Sequence, residues 1–131
     1  MTTPHDTARF AHPGARTTLW YPVCPYDQLP VERAVCVLVG GEQVALVRTR
    51  SGAVHGVDNL DPVAGAMVMS RGIVGSRGDR DVLVSPLHKQ SYDLATGQCL
   101  DLPGTSIAVH DVRIVDGIVE VGPAQAMRRL A

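Results

Sequence analysis

Asn59-Leu60-Asp61-Pro62 and Ser85-Pro86-Leu87-His88-Lys89-Gln90 are the two stretches on which the reading of this chain turns. Each follows a short apolar run, residues 54–57 before the first and 81–84 before the second, so each reads as a loop delivered by a strand. Working outward, residues 33–39 and 43–48 form two β-rich runs joined through Gly40-Gly41-Glu42, a hairpin signal. Ser51-Gly52 turns the chain into the strand that precedes Asn59. The apolar stretch Ala66-Met67-Val68-Met69-Ser70 leads to Gly72-Ile73-Val74-Gly75, and Ser76-Arg77-Gly78-Asp79-Arg80 reads as an exposed polar turn. Residues 91–93 and 98–100 flank a Thr96-Gly97 turn, and residues 108–115 and 118–121 pair across Asp116-Gly117. No segment gives an amphipathic helix of useful length. The pattern is all-β: antiparallel sheets with two long loops adjacent in space. By itself it also fits an SH3-like or OB barrel.

With 131 residues the chain is one domain, long enough for a real core. Residues 1–18 mix Thr, Pro, His, Gly and Arg without apolar periodicity and read as a flexible arm. The β domain is expected over residues 19–122 and a C-terminal tail over 123–131, where Met127 and Leu130 would share one side of a short helical turn. Twelve Lys and Arg against thirteen Asp and Glu leave a formal charge of −1, which gives no electrostatic case for nucleic acid. No apolar run approaches the roughly 20 residues that span a bilayer, and the N-terminus lacks the basic-then-apolar order of a secretory signal. Cytoplasm is the default location. Cys24, Cys36 and Cys99 are odd in number and widely spaced, which indicates neither a disulfide framework nor a zinc ribbon. Cys36, inside Ala34-Val35-Cys36-Val37-Leu38-Val39, reads as a small buried apolar residue. Cys24 and Cys99 lie near strand or turn edges, with core or surface roles.

Four motifs in order carry a resemblance: Asn59-Leu60-Asp61-Pro62, Met69-Ser70-Arg71-Gly72, Ser85-Pro86-Leu87-His88-Lys89-Gln90 and Asp93-Leu94-Ala95-Thr96-Gly97-Gln98-Cys99. Together they resemble the small subunit of assimilatory NAD(P)H-dependent nitrite reductase, a Rieske-like fold whose cluster ligands are replaced. The resemblance runs from about residue 19 to residue 121. A Rieske domain carries Cys-x-His and Cys-Pro-x-His at these loops, with two thiolates on one iron and two imidazoles on the other. Laid on that pattern, the ligand positions hold Asn59, Asp61, Ser85 and His88. Only His88 is of the required type, at a position where that family often has lysine. The resemblance implies a Rieske-like β-sandwich without its own cluster or other cofactor, acting as accessory subunit in the reduction of nitrite to ammonium. FAD, a [4Fe–4S] centre and sirohaem would then belong to the large catalytic subunit, the implied partner. Two alternatives stand beside it: a Rieske-type electron-transfer ferredoxin, and a free-standing all-β binding module.

No residue reads as catalytic. Ser85 follows a strand, but no Gly-x-Ser-x-Gly elbow surrounds it, and Pro86 offers no N–H as an oxyanion donor. No Gly-x-Gly-x-x-Gly or Walker-type loop is present. His88 reads either as a leftover ligand or proton-active group, or as a loop imidazole hydrogen-bonded to backbone. His55 and His110 fall within strands, where pairing to backbone is the plainer role; His5 and His12 belong to the arm. Arg48, Arg50, Arg71, Arg77, Arg80 and Lys89 gather in the part of the sequence that holds both loops. Arg71, His88 and Lys89 are the partner-binding candidates, at the same end as Asn59, Asp61 and Ser85. Without a cluster to cross-link them, the two loops would be held by packing and hydrogen bonds. Pro62 and Pro86 restrict φ, and Asp61 and Ser85 can accept from local N–H groups.

Overall fold

The computed structural model describes residues 19–125. The arm over 1–18 and residues 126–131 of the expected tail lie outside them. Eleven strands are seen among the described residues: β1 (Tyr21–Pro25), β2 (Ala34–Val39), β3 (Glu42–Arg48), β4 (Val54–Asp58), β5 (Leu60–Asp61), β6 (Ala66–Met67), β7 (Ile73–Arg77), β8 (Arg80–Val84), β9 (Ser91–Asp93), β10 (Val109–Val115) and β11 (Ile118–Ala124). Six of them form one antiparallel sheet in the order β1-β11-β10-β4-β3-β2. Its edge strands approach each other in a nearly closed barrel, with the Tyr21 ring over Gly40. A second sheet, β7-β8-β9, lies on the other side of β3 and β4, and β5-β6 is a small separate ladder. No helix of the described residues is long and apolar enough to cross a membrane.

Two hairpins form where their turn residues dictate. Gly40 and Gly41 both have positive φ (59° and 88°), as do Asp116 and Gly117 (52° and 78°). Two left-handed residues in succession give the turn whose twist matches paired strands. The β7–β8 turn is tighter than the sequence suggested: Arg77 pairs with Arg80, leaving only Gly78 and Asp79 to reverse the chain. The last strand runs two residues beyond Gly122, to Ala124.

The core divides in two, and β3 is the wall between the halves. Side chains alternate across a strand, so Val44 and Leu46 enter the barrel with Leu29, Val39, Val119 and Val121. Ala45 and Val47 face the other way, onto Met69, Leu83, Tyr92, Leu94 and Ile107. All four are fully buried. A strand covered on both faces reads as a continuous apolar run, which Val44-Ala45-Leu46-Val47 is. β2 looks similar in sequence but lies at the sheet edge. Cys36 is therefore exposed, not buried as its apolar neighbours suggested, while Cys99 is buried and Cys24 half-buried.

Candidate functional site

Loop 1 leaves β4 at Asn59, a residue 3% exposed whose amide nitrogen and oxygen are both hydrogen-bonded. Asn59 Nδ2 donates to Gln43 Oε1 at 2.8 Å, and Asn59 Oδ1 accepts from the Ser70 N–H at 2.7 Å. Its backbone N–H donates to the Gln43 carbonyl, and its carbonyl accepts from the Met69 N–H. Asn59 thus ties the end of β4 to β3 on one side and to the 3-10 turn Met69–Arg71 on the other. Arg71 follows at once, exposed at the end of that turn. Beyond Asn59 the loop folds on itself, with Leu60 opposite Met67 and Asp61 opposite Ala66.

Asp61 is wholly buried and sits where the two loops meet. Its Oδ1 accepts from the Val63 and Ala64 N–H groups at 2.8 and 3.1 Å, the local turn that an Asp favours. Its Oδ2 accepts from Ser85 Oγ at 2.5 Å, and Gln90 Nε2 donates to Oδ1 at 3.2 Å. Gln90 Nε2 also reaches the Tyr92 hydroxyl at 3.0 Å. Burial pushes the Asp61 carboxyl upward. The Ser85 hydroxyl, the two backbone N–H groups and the nearby His88 charge outweigh it, so the carboxyl titrates below its ordinary range. The loops are adjacent as the sequence suggested, and hydrogen bonds to one buried carboxylate join them.

Loop 2 is closed by its own backbone. The Lys89 N–H donates to the Ser85 carbonyl, the Ser85 N–H to the Gln90 carbonyl, and the Leu87 N–H to Ser85 Oγ. Lys89 takes a positive φ of 63°, unusual for a residue with a β-carbon. Leu87, His88 and Lys89 are all exposed at the tip. Among the described residues the His88 ring makes no hydrogen bond, so the backbone-bonded loop imidazole expected as its plainer role is not what forms. Gly72, next to Arg71, lies so close to β8 that an added β-carbon would stand 2.1 Å from the Val84 carbonyl oxygen. That contact sets Arg71 beside the strand that delivers loop 2.

These residues do not fit a [2Fe–2S] cluster. Asn59 and Ser85 supply no thiolate, the Asn59 amide is spent on Gln43 and Ser70, and Asp61 and Ser85 bind each other. Cys24 lies in β1 and Cys36 in β2, while Cys99 is buried opposite Tyr92. Cys36 Sγ approaches Gln43 Oε1 at 3.7 Å, next to loop 1, but one thiol beside Asn59 is not the pair a cluster needs. Among the described residues no group of three or more His, Cys, Asp or Glu side chains could hold a metal ion.

The other histidines divide. His110 is buried and pairs with the Asp58 carboxylate at 2.8 Å, not with backbone as its strand position suggested. His55 is half-buried, and burial lowers its pKa against the pull of Asp81 and Asp93. Three residues that matter here went unread in the sequence: Gln43, which braces Asn59, and Gln90 and Tyr92, which complete the ring around Asp61. Gln90 was legible only as part of a motif. Its Oε1 atom is buried without a partner among the described residues.

Residues 19–122 match a family model described as a Rieske-like [2Fe-2S] domain. The nitrite reductase (NADH) small subunit of Salmonella typhimurium is 36% identical over 103 residues, covering 78% of this chain and 95% of that protein. A crystal structure described as an NADH-dependent nitrite reductase small subunit from Mycobacterium tuberculosis superposes with a TM-score of 0.78 at 45% identity, over 82% of this chain and 96% of that one. The nitrite reductase [NAD(P)H] large subunit of Klebsiella oxytoca is 33% identical over 110 residues, 84% of this chain but 11% of that much longer one.

Proposed function

The chain belongs to the Rieske-like family of nitrite reductase small subunits, and from that premise we propose that it is the accessory subunit of an NAD(P)H-dependent enzyme reducing nitrite to ammonium in nitrate assimilation. It docks on the large catalytic subunit through the end formed by its two loops. The observation that carries this reading is the buried hydrogen-bonded group of Asp61, Ser85, Gln90 and Tyr92, with Asn59 separately tied to Gln43 and Ser70, in the two loops where the family resemblance would put cluster ligands. Those bonds keep the loops in shape by polar chemistry that can carry no electron. What the end offers is a surface: Arg71, His88 and Lys89 exposed above a rigid base. FAD, [4Fe–4S] and sirohaem belong, in this reading, to the large subunit, and the complex works in the cytoplasm.

A second support comes from Klebsiella oxytoca, where a stretch similar to this chain is part of the large-subunit polypeptide itself. A domain carried within the same chain is held permanently near its partner, as an accessory subunit needs to be. Co-expression with the large subunit tests the proposal. Nitrite-dependent NAD(P)H oxidation, or the stability of the large subunit, should fall when this chain is left out. Equal activity and stability without it would remove the role. The ferredoxin reading predicts a visible absorption band with stoichiometric iron and sulfide in anaerobically prepared protein; a colourless preparation is expected.

A further inference from the structure

We propose that Lys89 grips a carboxylate on the large subunit, at the rim of a contact in which Leu60, Val63, Met67 and Leu87 supply the apolar area. This rests on the docking reading above and names the chemistry of the partner's face. Lys89 is the only lysine in the 131 residues; every other basic side chain apart from the histidines is arginine. Surface arginines here are generally occupied: Arg50, Arg77, Arg80 and Arg113 each hold a carboxylate of this chain at 2.7–2.9 Å. Among the described residues Lys89 has no such partner, and neither do Arg33, Arg48 and Arg71; of these, Arg48 binds backbone carbonyls and only Lys89 and Arg71 belong to the loop end.

The backbone at Lys89 is also held in place at a cost. Its φ of 63° is a conformation that a residue with a β-carbon adopts only when its surroundings impose it. The imposing bonds are those of the closed loop, from the Lys89 N–H to the Ser85 carbonyl and from the Ser85 N–H to the Gln90 carbonyl. Ser85 is anchored in turn by Asp61. A glycine or asparagine would meet that geometry more easily. Lysine there gives up local ease for a cation carried at a fixed backbone position.

The surroundings suit a protein partner. Leu60, Val63, Met67 and Leu87 all belong to the two loops and are 39–51% exposed. Exposed apolar side chains bordered by cations match the apolar centre and charged rim of a protein interface. Asp61, the acid within the two loops, is buried and fully engaged, so Arg71, His88 and Lys89 are the charged side chains that the loops and the Met69–Arg71 turn expose. The complementary face is anionic.

The single lysine makes the test selective. In the native complex with the large subunit, a zero-length carbodiimide should join Lys89 to an Asp or Glu of that subunit, read by peptide mass spectrometry. Acetylation of Lys89 by an active ester should slow at least tenfold in the complex relative to the free chain. Lys89→Gly and Lys89→Asn should keep or raise the thermal midpoint, while the Kd for the large subunit weakens by about tenfold. A complex that forms with Lys89 still fully reactive, and that binds both variants like the wild type, overturns this inference and leaves the docking reading standing. Failure of the wild-type chain to bind the large subunit at all overturns both.

Discussion

At the scale of single residues, one buried carboxylate joins the two loops. A cluster would cross-link the loops through its ligands; here Asp61 does so with four hydrogen bonds, two within its own loop and two from Ser85 and Gln90. Removing it would leave the Ser85 hydroxyl, the Gln90 amide and two backbone donors without their acceptor in a buried site. Asp61→Ala should therefore cost about 3 kcal/mol of stability, measurable by denaturant unfolding, and Ser85→Ala about 1 kcal/mol. The pH dependence follows from the lowered carboxyl. A group whose folded pKa lies below its ordinary value, here 3.8, stabilises the fold fully above that value. The contribution is lost as pH falls through the folded pKa. Thermal midpoints taken from neutral pH down past the ordinary value should drop more steeply for the wild type than for Asp61→Asn, which has no charge to lose. Parallel curves would show that Asp61 is not what ties stability to pH.

At the scale of elements, the legible parts were those set by neighbours in sequence. The turns at Gly40-Gly41 and Asp116-Gly117 specify their hairpins by the φ values they need, and both form. The phase of an all-apolar strand is not local information. Ala34-Val35-Cys36-Val37-Leu38-Val39 and Val44-Ala45-Leu46-Val47 look alike, but one is an edge and the other the wall between two cores. Cys36 is exposed for that reason. The partnership of His110 with Asp58 joins residues 52 apart and has no sequence signal. Gly72 is likewise explained only by the fold. Its φ of −78° suits any residue, yet a β-carbon would meet the Val84 carbonyl carbon and oxygen at 3.1 and 2.1 Å. Gly72→Ala should destabilise by about 2–3 kcal/mol as the Met69–Arg71 turn is forced off β8, whereas Gly75→Ala, with nothing within 4 Å, should change little. Calorimetric midpoints of the two variants, side by side, decide whether close approach or glycine itself matters.

For the whole molecule, the two cores hold a rigid frame, and the residues proposed for docking are gathered at one end of it. The resemblance in sequence located that end, because the four motifs fall on the loops and on the turn and strand that support them. It could not supply Gln43 or Gln90 as braces, since Asn59 and Asp61, the residues they hold, lie 16 and 29 residues away and only the folded chain brings each pair together. A frame this closed at its base has little to gain from rearranging on contact, so association should be governed by surface charge and apolar area. With a net charge of only −1, the molecule as a whole gives almost no steering; the local cations Arg71, His88 and Lys89 must provide it. Charges at an interface rim act mainly on the rate of association and are screened by salt, with a Debye length of about 10 Å at 0.1 M. Reversing two of them, Arg71→Glu with Lys89→Glu, should slow association with the large subunit by at least tenfold at low ionic strength. Wild type should lose rate as salt is raised, and the doubly reversed chain should gain it, because repulsion is screened as readily as attraction. Stopped-flow or surface-based kinetics across a salt series reads the two slopes directly. Slopes of the same sign, or unchanged co-purification of the doubly reversed chain, would move the docking surface away from this end of the domain.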